Sequence, residues 1–147
     1  MLTLPLYLGL GGNEGDRRAN LLSAIDLISE FLCLKPSAVS DFIETKSWGF
    51  DGPDFINCVV KYDLPEAGQD HVLHALALMH AFQGIEDRIG RKRDYIKEGP
   101  GRTYTDRPID IDILLYGEDT INLPELTVPH PLMKQRDFVM VPLSQIR

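Results

Sequence analysis

Ile109–Tyr116 reads IDIDILLY, and this apolar stretch with two aspartates decides the prediction of the fold. A short apolar run rich in β-branched residues predicts a strand, and its composition favours a central position in a sheet. Upstream, strand-like and helix-like patterns of apolar residues predict the other elements. In chain order these are a strand at 4–10, a helix at about 15–32, a strand at 39–47, a loop at 48–54, a strand at 55–64 and a helix at 69–88.

The order of these elements predicts the fold class. A strand, a helix and two strands, followed by a helix and a strand, usually form an antiparallel sheet with helices packed on it. A chain of 147 residues is long enough for one hydrophobic core and suits a single domain. We therefore predict an α+β protein of the ferredoxin-like type, with residues 1–147 as one domain.

Three local features carry more specific expectations. Gly9, Gly11 and Gly12 are expected to end the first strand in a tight turn. Pro142 is expected to limit any helix in the amphipathic tail at 132–146. The second helix is expected to bury one apolar side, made of Val72, Leu73, Leu76, Met79, Phe82 and Ile85.

Composition and charge exclude several classes of protein. The net charge of -7 argues against general nucleic-acid binding. No apolar run reaches membrane-spanning length, and the first residues lack the pattern of a signal peptide, so we expect no membrane partner and a cytoplasmic location. Cys33 and Cys58 are expected to be two buried thiols rather than a disulfide.

The basic residues are unevenly distributed. Seven of the fifteen lie between Arg88 and Arg107. A solvated charged loop would explain such a stretch, but an acidic protein that concentrates its cations in one place can also bind an anion there. The segment from 90 to 105 has no periodicity and is predicted to be a long loop, which in compact domains is often functional.

Asp110 and Asp112 are the sharpest chemical signal. Side chains two apart in a strand point to the same face, about 6.6 Å from one another along the backbone. Two carboxylates on one apolar face repel each other, and a magnesium ion would relieve that repulsion because it prefers oxygen ligands. The alternative is that one aspartate pairs with an arginine while the other lies at the strand end. Arg107, Arg91 and Arg93 favour a metal-bridged phosphate instead, because guanidinium groups stay charged and bind phosphate oxygens.

Two further patterns are weak. The glycine-rich segment near the start matches neither the P-loop nor the dinucleotide fingerprint. His71, His74 and His80 lie on one predicted helix, but His80 is off the face of the other two, which argues against zinc.

Together the motifs resemble the family of 6-hydroxymethyl-7,8-dihydropterin pyrophosphokinases of the folate pathway. The resemblance covers nearly the whole chain. It rests on LGLGGNEGD at 8–16, Glu44-Thr45, DFIN at 54–57, IEDRIGRKR at 85–93, RPIDIDILLYG at 107–117, and VPHP at 128–131 followed by RDFV at 136–139.

This resemblance implies a ferredoxin-like sandwich that transfers pyrophosphate from ATP to the pterin hydroxymethyl group and releases AMP. It implies two magnesium ions on Asp110 and Asp112, catalytic roles for these aspartates and for Arg91 and Arg93, and no obvious side-chain base. The implied ATP contacts are Gln83, Glu86, Arg91, Arg93, Arg107, Ile113, Thr127, His130 and Arg136. The implied pterin contacts are Thr45, Trp48, Phe55, Asn57 and Phe138.

Other functions stay open at this point. A different Asp-x-Asp enzyme would move a single phosphoryl group and release ADP. A non-catalytic ferredoxin-like module would bind a small ligand without turnover. The chain also departs from the usual family pattern, with Thr105-Asp106 before Arg107 and Lys46 after Thr45. We expect a monomer whose partners are small molecules alone.

Overall fold

The computed structural model describes residues 2–47, 52–90 and 107–147. The strands are β1 (Thr3–Gly12), β2 (Ala38–Val39), β3 (Ile43–Thr45), β4 (Phe55–Pro65), β5 (Asp110–Tyr116), β6 (Ile121–Asn122) and β7 (Thr127–Val128). The α-helices are α1 (Arg17–Leu32), α2 (His71–Ile89) and α3 (Asp137–Ile146), and a 3-10 helix covers Met133–Gln135. The predicted loop at 90–105 lies almost wholly outside the described residues, as do the first four residues, 48–51, of the loop at 48–54.

The main sheet has the strand order β2-β4-β1-β5, with β3 also paired to β4, and all its pairs are antiparallel. If β2 and β3 are counted as one interrupted strand, this is the order of the ferredoxin-like fold. The predicted fold class is confirmed. The strand predicted over 39–47 is broken at 40–42, where the buried Ser40 bonds instead to β4 through its side chain and its amide.

The sheet is covered on both faces. Leu6, Leu8 and Leu10 of β1 point toward α1 and α2, where they pack with residues such as Ile28 and Phe82. The apolar cluster on the opposite face is smaller and includes the 3-10 helix and α3. Its buried residues are Tyr7, Val59, Leu114, Met133, Val139 and Leu143. The alternation along β1 therefore assigns each face to one layer of helices.

The two long helices each begin directly after an aspartate that caps the first turn. Asp16 and Asp70 each accept a bond from the amide three residues on, at 3.1 Å and 3.0 Å. The predicted apolar side of α2 is wrong in its first turn, because Val72 and Leu73 are exposed. The buried side is made of Ala75, Leu78, Phe82 and Ile85, together with the carboxylate of Glu86.

Strands β1 and β5 differ from expectation in ways that concern the site. β1 runs through Gly9 and Gly11 to Gly12 rather than turning there. β5 forms the edge of the main sheet rather than its centre. Its outer edge is covered by other groups, since the Ile111 amide donates to Glu86 and the Leu114 carbonyl accepts from the His130 amide.

Two further predictions, one on the tail and one on the cysteines, are corrected by the structure. Pro142 lies inside α3 and is buried. The helix tolerates this proline because the missing amide leaves only one carbonyl, near the start of the short helix, without its bond. Cys33 is exposed rather than buried, at the left-handed end of α1, whereas Cys58 is buried; both thiols are free.

Across the described ranges, none of the helices has the length and apolar character needed to cross a membrane.

Candidate active site

Asp110 and Asp112 lie on the face of the sheet that is turned toward α3. Across the ladder between β1 and β5, Asp110 is opposite Gly11 and Asp112 is opposite Gly9. Residues directly opposite each other in an antiparallel pair share a face, so each aspartate has a glycine as its neighbour. The glycines leave open the space that side chains would fill beside the carboxylates.

A cleft opens on this face, between the sheet and the start of α3. Its floor includes Gly9, Gly11 and the two aspartates, and aromatic rings form part of its walls. It is lined by Gly9, Leu10, Gly11, Thr45, Lys46, Phe55, Asn57, Cys58, Arg107, Asp110, Asp112, Arg136, Phe138 and Val139. We call it the first cleft.

The polar end of the first cleft is built around Asn57. This buried side chain donates from Nδ2 to Thr45 Oγ1 at 2.6 Å, which fixes the orientation of its amide. Asn57 is the partner of Gly11 in the β1–β4 ladder, and a side chain at residue 11 would collide with the Asn57 Oδ1 atom. An oriented carboxamide of this kind can donate to and accept from the edge of a heterocycle.

Two arginine–aromatic pairs form the walls. The Arg107 guanidinium lies 5.0 Å from the ring centre of Phe55 and its Nη2 is 3.6 Å from Asp110 Oδ2. The Arg136 guanidinium lies 5.5 Å from the ring centre of Phe138. The cleft therefore combines flat apolar surfaces with two cations beside a carboxylate pair. The aromatic surfaces suit a flat ring, and the cations suit a group on that ring that becomes anionic.

A second cleft lies on the outer edge of β5 and shares both aspartates with the first. Its walls come from the C-terminal half of α2 and from the segment around β7. It is lined by Met79, Phe82, Gln83, Glu86, Asp110, Ile111, Asp112, Ile113, Pro124, Glu125, Leu126, Thr127, His130 and Pro131. The two clefts meet at the carboxylate pair, so ligands in each would approach one another there.

Glu86 and His130 fix the edge of the second cleft. Glu86 is buried and accepts a 2.7 Å bond from the amide of Ile111, the residue between the two aspartates. His130 accepts at Nδ1 from the Leu132 amide at 3.3 Å, and its Nε2 is 3.9 Å from Asp112 Oδ2. With Nδ1 acting as acceptor, the neutral ring carries its proton on Nε2, facing the carboxylate.

The charge balance around Asp112 is unfavourable without a cation. Although 33% of its side chain is exposed, desolvation in the cleft raises the pKa of Asp112 well above its usual range. The carboxylates of Asp110 and Glu86 raise that pKa further, and the guanidinium groups of Arg136 and Arg107 oppose the rise. Adjacent carboxylates that resist ionisation together are suited to binding a cation between them.

The donor set fits magnesium rather than a fully enclosed metal. Within residues 2–47, 52–90 and 107–147, no group of three or more His, Cys, Asp or Glu side chains could hold an ion. Magnesium keeps several water molecules and takes phosphate oxygens from a substrate, so two aspartates on one face meet its requirements.

The predicted site residues that the structure describes lie at these two clefts. Thr45, Phe55, Asn57, Arg107, Arg136 and Phe138 line the first cleft; Gln83, Glu86, Ile113, Thr127 and His130 line the second. Trp48, Arg91 and Arg93 lie outside the described residues. Sequence reasoning missed Gly9 and Gly11, which it assigned to a turn.

The chain matches the family model described as 7,8-dihydro-6-hydroxymethylpterin-pyrophosphokinase over residues 7–147. The chain belongs to this family. It is 40% identical over 143 residues to the 2-amino-4-hydroxy-6-hydroxymethyldihydropteridine pyrophosphokinase of Porphyromonas gingivalis, covering 96% of this chain and 89% of that one. It is also similar to the proteins of the same name from Aquifex aeolicus, at 39% identity (96% and 79% covered), and Bacillus subtilis, at 34% identity (95% and 76% covered).

Membership of this family confirms the resemblance that the motifs predicted. It makes the chain a pyrophosphokinase, a transferase of phosphorus-containing groups that acts in folate biosynthesis. The alternatives of a non-catalytic module and of an enzyme that moves one phosphoryl group are thereby set aside.

Proposed function

We propose that the two clefts hold the two substrates of this pyrophosphokinase, with 6-hydroxymethyl-7,8-dihydropterin in the first and ATP in the second. The observation that carries the proposal is that both clefts are lined by the same two residues, Asp110 and Asp112. A transfer between two ligands requires the reacting atoms to meet, and the shared carboxylates are where that would happen.

The pterin assignment rests on the shape and chemistry of the first cleft. Phe55 and Phe138 offer flat apolar surfaces on which the ring would stack. Asn57, fixed by Thr45, offers a donor and an acceptor to the edge of the ring. The hydroxymethyl group would then point toward the aspartate pair, and Trp48 stays a further predicted contact.

The ATP assignment rests on the second cleft and on the arginines at its junction with the first. Gln83, Glu86, Ile113, Thr127 and His130 line the second cleft. Arg107 and Arg136 line the first cleft close enough to the shared aspartates to act on the charge of Asp112, and there their guanidinium groups would neutralise phosphate oxygens. Arg91 and Arg93 are proposed to act on the same phosphates.

Asp110 and Asp112 would hold magnesium, two ions by family resemblance. The metal would neutralise the phosphates and lower the pKa of the attacking hydroxyl. The residues of this chain position the reactants: the aromatic walls orient the pterin, and the arginines hold the group that is transferred. With positioning and charge neutralisation supplied in this way, no separate side-chain base is proposed.

A pattern of Michaelis constants tests the division between the clefts. Asn57→Ala and Phe138→Ala should raise the KM for the pterin by about tenfold or more and leave the KM for ATP within about threefold. Thr127→Ala and His130→Ala should do the reverse. If all four variants change the same constant, the assignment of one substrate to each cleft is wrong.

Other features of the whole protein stay predictions. We propose that residues 1–147 act as one pyrophosphokinase domain, which the match over residues 7–147 supports. A monomer, a cytoplasmic location and the absence of nucleic-acid partners remain expectations from the sequence.

A further inference from the structure

Asn13 is a buried polar residue outside both clefts, just after the end of β1. Only 4% of it is exposed. It is not among the residues that line the two clefts. The cap of α1 is Asp16, three residues further along the chain, so the burial of Asn13 is not explained by capping of that helix.

Its bonds tie together three separate segments of the chain. The backbone amide of Asn13 donates to the Arg107 carbonyl oxygen at 2.9 Å. In return, the backbone amide of Arg107 donates to Oδ1 of the Asn13 side chain at 2.8 Å. The other end of the side chain, Nδ2, donates to the Pro53 carbonyl at 3.1 Å. One carboxamide thus links the end of β1, the residues that precede β4 and the residues that precede β5.

The two segments that Asn13 joins lead directly to walls of the first cleft. Pro53 is two residues before Phe55, and Arg107 carries the guanidinium that lies over the Phe55 ring and beside Asp110. The close packing at this junction needs Gly12, because a side chain there would collide with the Pro108 carbonyl. Displacing either segment would therefore move the Arg107–Phe55 pair.

We propose that Asn13 is a positioning residue for this reaction, which sets the Arg107 guanidinium and the Phe55 ring relative to one another through its two-ended side chain. This inference rests on the proposed function, since it assumes that the first cleft binds the pterin. The role is one of positioning, exerted through Arg107 and Phe55. Its oxygen orients the phosphate-binding cation, and its NH₂ group holds the wall on which the pterin would stack.

The first experiment compares Asn13→Ala with Asn13→Asp in steady-state assays of AMP release. Asn13→Ala removes both side-chain bonds and should lower kcat/KM for the pterin by about tenfold or more, because a displacement of about 1 Å in a catalytic site can slow the reaction by that much. Asn13→Asp keeps the acceptor for the Arg107 amide and loses the donor to Pro53, so it should mainly raise the KM for the pterin while kcat changes by less than about threefold. Equal losses of kcat in the two variants would overturn the proposed division of roles between the side-chain oxygen and the NH₂ group of Asn13.

Asn20→Ala is the matched control. Asn20 also donates from Nδ2 to a backbone carbonyl, that of Glu14 at 3.1 Å, in the same β1–α1 region but away from both clefts. It should change the melting temperature without changing kcat/KM by more than about twofold. A loss equal to that of Asn13→Ala would assign the effect to general loosening of this region and overturn the proposal.

A double-mutant cycle with Arg107→Ala separates positioning from a structural role. If Asn13 acts partly through the Arg107 side chain, Asn13→Ala should lower kcat/KM by a smaller factor when that side chain is already absent. The same fold loss in both backgrounds would overturn the proposal. Absence of AMP release by the unmutated protein would overturn the proposed function and this inference together, whereas normal release by Asn13→Ala would overturn the role of Asn13 alone.

Discussion

Gly11 lies directly opposite Asp110 in the ladder between β1 and β5, and its other neighbour across the sheet is Asn57. This row places a residue without a side chain between a carboxylate and a fixed carboxamide. In Gly11→Ala the new methyl group would collide with Asn57 Oδ1. We expect the Asn57 amide to be displaced from Thr45, and kcat/KM for the pterin to fall by about tenfold or more in steady-state assays.

Gly84→Ala is the control for this substitution. Gly84 is an exposed residue of α2, and a methyl group there would meet nothing within 4 Å. Alanine should stabilise the helix by about 1 kcal/mol and leave activity unchanged. Unaltered pterin kinetics in Gly11→Ala would show that the glycine is not needed for the pterin cleft.

The aspartate pair should cost stability in the absence of metal. Asp112→Asn relieves the repulsion from Asp110 and Glu86, so the metal-free variant should melt at a higher temperature than the unmutated protein. Turnover should fall at least about 100-fold, because the variant loses a metal-binding carboxylate.

Addition of magnesium to both proteins completes this test. With ATP present, magnesium should raise the melting temperature of the unmutated protein much more than that of Asp112→Asn. Asp26→Asn, an exposed change on α1, should leave activity and magnesium response intact. Full turnover in Asp112→Asn would refute the assignment of Asp112 as a metal ligand.

The pH dependence of stability should reflect His71, at the start of α2. Its ring nitrogens lie 2.8 Å from Glu66 Oε2 and 2.6 Å from Asp119 Oδ2. The bond to Glu66, and then the bond to Asp119, raise the pKa of His71 above its ordinary value. A raised pKa in the folded state gives stability that is complete below the unfolded-state pKa of about 6.5 and is lost as the pH rises through the folded-state pKa.

Thermal melts from acidic to alkaline pH measure this contribution. The melting temperature of the unmutated protein should fall as the pH rises above about 6.5, and His71→Asn should flatten that part of the curve. His80→Asn, which changes an exposed residue on the same helix, should not. Parallel curves for the unmutated protein and His71→Asn would contradict the role given to this cluster.

The two cysteines should differ in reactivity. Burial raises the pKa of the Cys58 thiol to about 12, whereas Cys33 is exposed at the end of α1. Since the thiolate is the reactive form, a thiol reagent near pH 8 should modify one cysteine per folded chain and two in denaturant. Cys33→Ser should abolish the modification of the folded protein; rapid labelling of this variant would mean that Cys58 is accessible.

The sequence predicted the fold well where local signals agree with tertiary structure. Asp16 and Asp70 mark helix starts because their capping bonds are local. Gly9 and Gly11 were wrongly predicted to end the first strand, because glycine usually indicates a turn. Here both lie within β1 and leave room for the first cleft. The edge position of β5 could also not be predicted from the sequence, because the groups that cover that edge, Glu86 and His130, come from distant parts of the chain.

The site was predictable in part. The spacing of Asp110 and Asp112 in a strand is enough to place both carboxylates on one face. The division of the remaining residues between two clefts depends on which face or edge of the sheet each one reaches, and only the fold determines that. Asn13 carries no signal of its role, because its partners at Pro53 and Arg107 are 40 and 94 residues away.

The nucleotide product is the most direct test of the central claim. The protein is incubated with ATP, magnesium and 6-hydroxymethyl-7,8-dihydropterin, and the products are separated by chromatography. Transfer of pyrophosphate between ligands that meet at Asp110 and Asp112 predicts AMP and the pterin diphosphate in equal amounts, with neither formed in Asp110→Ala. Release of ADP, or turnover that survives in Asp110→Ala, would contradict it.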